Sequence, residues 1–95
     1  MRNNGKATKK PVEVDYCLNT SAQDVSAWIM SMGDKPQNII SPIDYTEGGE
    51  IKNFSVRTLE GSSYEVPRHY VIIRGVNGEY YPCEPSIFKK TYNIQ

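Results

Sequence analysis

The side chains best suited to recognition or chemistry gather in one stretch of this chain, from Arg68-His69 through Arg74 to Tyr80-Tyr81 and Cys83. Arginine forks onto a phosphate or carboxylate with parallel N–H donors, and tyrosine stacks on a base or anchors a protein interface. Arg68, His69, Arg74, Tyr80 and Tyr81 are therefore the expected binding residues. Catalysis asks for a nucleophile, a general acid or base, or a metal. The candidates are His69, Cys17, Cys83 and scattered carboxylates, and they form no recognisable motif. Cys83 stands between Pro82 and Glu84 at the start of a helical turn, a place that lowers a thiol pKa. A lone cysteine is more often a small, inert, buried hydrophobe. His69, alone at a turn, reads as a surface or hydrogen-bonding residue. Neither Gly-x-x-x-x-Gly-Lys nor Gly-x-Gly-x-x-Gly occurs. Two cysteines without Cys-x-x-Cys spacing and a single histidine do not suggest zinc. The expectation is a protein that binds without catalysing, with no metal or cofactor.

The hairpin that must position these residues is signalled by Asn77-Gly78, between Tyr70–Val76 and Glu79-Tyr80-Tyr81. Both residues tolerate the positive φ of a type I′ turn. With Asn77 and Gly78 as the two loop residues, Val76 faces Glu79, Gly75 faces Tyr80 and Arg74 faces Tyr81, and Gly75 leaves room beside an aromatic ring. Pro82 ends the second strand or sets it at a sheet edge, and Pro85 opens a short helix running through Tyr92.

Upstream, Val12, Val14, Tyr16 and Leu18 alternate with Glu13, Asp15 and Cys17, the period of a strand with one buried face. Thr20 with Gln23 resembles a capping box, and Val25, Trp28, Ile29 and Met32 follow at helical spacing before Gly33. That pattern predicts an amphipathic helix from Ala22 to Met32, with Trp28 packed in the core rather than serving as a ligand platform. From Asp34 to Glu50, Pro36, Pro42, Gly48 and Gly49 imply a long connection or a distorted strand. Ile51 to Leu59 reads as a strand, Glu60-Gly61-Ser62 as a turn and Ser63 to Val66 as its partner, before Pro67 interrupts. The fold class is α+β: an antiparallel sheet of about four to five strands, one main helix on one face and a short C-terminal helix. The expected core is Val14, Tyr16, Trp28, Ile29, Met32, Phe54, Val56, Val71, Ile73, Ile87 and Phe88.

Ninety-five residues, 38% of them hydrophobic, suit one folded domain. The formal net charge is zero but unevenly placed, since Arg2, Lys6, Lys9 and Lys10 precede the first acid, Glu13. Residues 1–10 are expected as a flexible basic tail and residues 11–95 as the domain, whose seven basic and eleven acidic residues give −4. Such a body is a poor general binder of nucleic acid, because nonspecific affinity comes mainly from cations on phosphates. No segment approaches the roughly twenty apolar residues of a membrane helix and none resembles a secretory signal, so a cytosolic protein with reduced thiols is expected.

From Ile72-Ile73-Arg74-Gly75-Val76-Asn77-Gly78-Glu79-Tyr80-Tyr81-Pro82-Cys83 through Ile87-Phe88 to Thr91-Tyr92, the chain resembles an ending that recurs in small proteins of tailed bacteriophages and prophages. Their opening strand is written like Pro11-Val12-Glu13-Val14, so the resemblance covers both ends and not the middle. Where those proteins usually carry Pro-Gly-Asp-Tyr or Pro-Gly-Asp-Trp, this chain has Pro67-Arg68-His69-Tyr70. That puts a cation and an imidazole at the turn and removes a residue that readily takes positive φ. The resemblance implies a small phage accessory protein acting in a host bacterial cytoplasm, and it carries no catalytic residue across. The expected function is to counteract a host enzyme or antiphage defence protein by direct binding. The alternatives are a sponge for a nucleotide immune signal, formed as a homo-oligomer, and a minor virion or assembly component.

Overall fold

The structure is a computed structural model and describes residues 4–6, 12–58 and 61–93. The expected strand end at Leu59, the turn residue Glu60 and most of the basic tail lie outside these residues. In chain order the elements are β1 (Asp15–Leu18), α1 (Ala22–Ser31), α2 (Pro36–Ile39), β2 (Ile40–Tyr45), β3 (Ile51–Arg57), β4 (Ser63–Glu65), β5 (Val71–Arg74), β6 (Tyr80–Cys83) and α3 (Pro85–Thr91). The strands form two antiparallel three-stranded sheets, β1-β5-β6 and β2-β3-β4.

The α+β class holds, but two sheets replace the expected single sheet of four to five strands. The break falls at Pro67. Val66 still donates to the Phe54 carbonyl at 3.1 Å beside the β3–β4 ladder, and Pro67 then has no N–H with which to continue it. Pro67–Tyr70 closes as a turn, Tyr70 N–H donating to the Pro67 carbonyl at 3.2 Å, and the chain leaves for the other sheet. Between Asp34 and Glu50 the distorted strand is present: Pro36 opens α2, and β2 changes register between Pro42 and Asp44 and again between Asp44 and Tyr45.

The unbroken apolar run Val71-Ile72-Ile73 becomes central strand β5, buried on both faces. Ile72 faces a core built with Ala22, Val25 and Ile29 of α1, Ile40, Phe54 and Val56 of the other sheet, Val66 and Tyr80. Val71 and Ile73 face the opposite way, toward Phe88 of α3. The sheet β1-β5-β6 is thus covered by α1 on one side and α3 on the other. Trp28 packs against the first core, edge-on to Tyr80 at 5.6 Å between ring centroids. Two expected core residues are corrected: Tyr16 is 41% exposed on edge strand β1 and Ile87 is 53% exposed on α3.

The cap of α1 sits one residue later than Thr20. Ser21 is the N-cap and its hydroxyl accepts from Asp24 N–H at 3.1 Å, while the Thr20 hydroxyl donates to Asp24 Oδ2 at 2.6 Å. At the other end Gly33, at φ 89°, donates to the Met30 carbonyl at 3.0 Å, and Asp34 N–H donates to the Ile29 carbonyl at 3.2 Å. This is a Schellman ending, and it fixes where Asp34 leaves the helix.

Candidate functional site

The β5–β6 hairpin has a three-residue loop, not the expected two-residue one. Gly75 N–H donates to the Glu79 carbonyl at 2.8 Å and Gly78 N–H to the Gly75 carbonyl at 3.0 Å. Within the loop only Gly78, at φ 80°, has positive φ, so Asn77 does not adopt the type I′ conformation. The geometry is a type I turn completed by a glycine bulge. The ladder shifts by one: Arg74 pairs with Tyr80 and Ile73 with Tyr81. A one-residue shift exchanges the faces of the two tyrosines. Gly75 faces Glu79 instead of an aromatic ring, and the Glu79 carboxylate curls over it to accept from Asn77 N–H at 3.0 Å.

With that register, Tyr80 turns into the core at 1% exposure and its hydroxyl donates to Asp34 Oδ2 at 2.7 Å. Arg74, alongside, places Nε 3.5 Å from the same carboxylate oxygen and its guanidinium carbon 6.0 Å from the Tyr80 ring centroid. Arg74 Nε is buried and lacks a hydrogen-bond partner among the described residues. Burial first, and the hydrogen bond to Asp34 second, push the Tyr80 phenol up to about 12. A phenol held neutral at ordinary pH is a hydrogen-bond donor and a poor base. The three side chains tie the end of α1 to the hairpin. The Asp34 and Arg74 side chains remain 37% and 30% exposed.

The other expected residues lie elsewhere. Arg68 and His69 occupy the turn before β5, at the opposite end of that strand from Arg74, so the two arginines form no cluster. His69 has φ 69° at the third position of the turn, the sign a type II turn requires there. Asn19, a buried polar residue, holds this turn in place. It donates from Nδ2 to the Val66 and Pro67 carbonyls at 3.3 and 3.2 Å and from its backbone to the Tyr70 carbonyl at 2.8 Å, and its own carbonyl accepts from His69 N–H at 3.0 Å. Arg68 borders a surface groove of about 510 Å3 at the start of α1, with Lys52, Glu50, Ser21 and Gln23 among the other lining residues. Tyr81 lies on the α3 side of the sheet, half-buried, with its pKa raised by burial and by Tyr92.

Neither thiol has an activating environment. Burial pushes both Cys17 and Cys83 above the usual thiol value, with Asp24 and Glu84 respectively adding to the shift. Cys17 pairs with Ile72 and Cys83 with Val71, so the two sulfurs sit on opposite faces of one sheet. No group of His, Cys, Asp or Glu able to hold a metal ion occurs among the described residues, and no described helix is long and apolar enough to cross a membrane.

Sequence reasoning missed Asp34 and Asn19. Asp34 follows Gly33, and an acid directly after a helix-ending glycine is a signal that its direction is fixed. Asn19 carries no signal beyond being a polar residue between a strand and a helix cap. No known protein family matches the chain, and no match was found among curated proteins or among solved structures.

Proposed function

We propose that this chain is a phage accessory protein that counteracts a host enzyme or antiphage defence protein by binding it in the host bacterial cytoplasm, without catalysing a reaction. One contrast carries the reading. The Tyr80 phenol and the Asp34 carboxylate serve the fold together, and both thiols are shifted away from reactivity. Large apolar side chains meanwhile stay on the surface: Tyr16, Leu18, Met30, Ile43, Tyr45 and Tyr64 are all more than 40% exposed. Exposed tyrosine and aliphatic side chains suit a protein interface. The test is reconstitution. A host polypeptide co-isolated from infected cells is mixed with the purified chain, and a complex of fixed stoichiometry that inhibits the host protein is expected. A chain that neither retains nor inhibits any polypeptide contradicts the reading.

A second reading, sequestration of a nucleotide signal, is favoured by the groove beside Arg68 and Lys52, whose volume of about 510 Å3 suits a small ligand. Arg74 lies outside that groove, so Arg68 carries this reading. Calorimetry with a panel of mono-, di- and cyclic nucleotides is the test: it requires binding that Arg68→Ala abolishes, and the absence of heat across the panel removes it.

A further inference from the structure

Each sheet ends in two edge strands, and an edge exposes a row of backbone N–H and C=O groups to any strand that can pair with them. Three of the four edges are guarded. Strand β6 carries Pro82, which has no N–H to offer. Strand β2 carries Pro42 and two register shifts. Strand β4 is three residues long and is followed by Pro67. Strand β1, Asp15–Leu18, has no proline and pairs without a register shift, and β5 is its only paired strand among the described residues.

Its side chains divide by face. Tyr16 and Leu18 point to the α3 side, 41% and 42% exposed, with the Tyr16 ring 4.9 Å from that of Phe88. Ile87 of α3 and Val12, ahead of the strand, are exposed as well. Asp15 and Cys17 point to the α1 side, where the charge of Asp24 reaches the Cys17 thiol. Glu13 and Asp15 are both exposed, and Arg74, the cation opposite Asp15, is paired with Asp34. The edge is therefore apolar toward α3 and acidic toward α1. A second copy would bring like charges together, whereas a basic segment would complement them.

We infer that β1 is a strand-addition site for an extended segment of a partner protein in which apolar residues, facing α3, alternate with lysine or arginine, facing Glu13, Asp15 and Asp24. Main-chain hydrogen bonds would supply affinity, and the alternating side chains would supply selectivity. This rests on the protein-binding reading above and names its site.

The probe is an end-capped nine-residue peptide of alternating valine and lysine, titrated into the full chain while backbone amide resonances are followed. Saturable 1:1 binding that moves the amides of Glu13–Leu18 is expected. It should weaken about tenfold or more in Glu13→Lys combined with Asp15→Asn, with melting unchanged. The same peptide N-methylated at every second residue, on the edge that pairs, should not bind. No binding up to about 1 mM, or binding that leaves β1 unmoved, overturns the assignment. So does protection, in the free protein, of the β1 amides that do not face β5, whether accompanied by a doubled mass, which assigns the edge to a second copy, or abolished by deleting residues 1–10, which assigns it to the chain's own basic segment. A host polypeptide retained from cells while β1 stays silent would sink the edge and leave the protein-binding reading standing. Peptide binding at β1 with no polypeptide retained would do the reverse.

Discussion

The Tyr80 hydroxyl and the Asp34 carboxylate, 46 positions apart, meet at 2.7 Å and join the C-terminal end of α1 to the β5–β6 hairpin. The bond depends on two local events. The Schellman ending at Gly33 aims Asp34, and the three-residue loop puts Tyr80, not Tyr81, on the face toward α1.

Tyr80→Phe removes this hydrogen bond without opening a cavity and is expected to cost about 1–2 kcal/mol at neutral pH. The pH dependence has a definite sign. The folded-state pKa is raised from 10.0 to about 12, so the stabilisation is fully present below pH 10 and is lost as pH rises through 12. Urea unfolding at pH 8 and pH 11 should show a smaller alkaline loss for Tyr80→Phe than for the wild type. An identical loss would mean that the phenol is not held by Asp34.

Asn19→Ala removes the amide that serves the buried Val66 carbonyl and one of the two donors to the Pro67 carbonyl, which keeps Tyr70 N–H, and is expected to destabilise by about 1–3 kcal/mol. Amide hydrogen exchange should accelerate first at His69 and Tyr70, since Asn19 positions their turn through its backbone as well.

His69 occupies the left-handed region at φ 69°, where histidine is tolerated and a β-branched residue is not. His69→Val should cost about 1–2 kcal/mol, while His69→Gly should be close to neutral, its conformational relief set against the greater freedom of the unfolded chain. Thermal melts of the two variants separate backbone strain from any role of the imidazole.

Gly78→Ala forces a side chain onto φ 80° and should cost about 1–2 kcal/mol. Gly75→Ala acts by another route. The new methyl would take the space of the Glu79 carboxylate, which must swing out and release Asn77 N–H. Because Glu79 is flexible, that loss should be nearer 1 kcal/mol. Glu79→Ala combined with Gly75→Ala should then show little further destabilisation, which a double-mutant cycle measures.

Much of the fold is legible in the sequence. Val71-Ile72-Ile73 announces a buried strand, the spacing of Val25 and Ile29 announces α1, and Pro85 announces α3. The register of the hairpin is not legible. Asn77-Gly78 accommodates either loop, and because Tyr80 and Tyr81 are the same residue, the hydrophobic pattern cannot decide which faces the core. The decision comes from Trp28 and Asp34, both distant in sequence. The separation into two sheets is half-legible, since Pro67 marks the break but does not say that the next strand pairs elsewhere. The expected binding residues are close along the chain, yet Arg68 lies in the turn before β5 and Arg74 at that strand's far end, and the shifted register sends Tyr80 and Tyr81 to opposite faces.

Holding another protein is the activity we propose for this chain. Native mass spectrometry of the tagged chain, isolated gently from phage-infected cells and recorded with its subunit number and every retained mass, tests it most directly. A host polypeptide bound at fixed stoichiometry is expected. A nucleotide-sized mass held by an oligomer, or the bare chain alone, would contradict it.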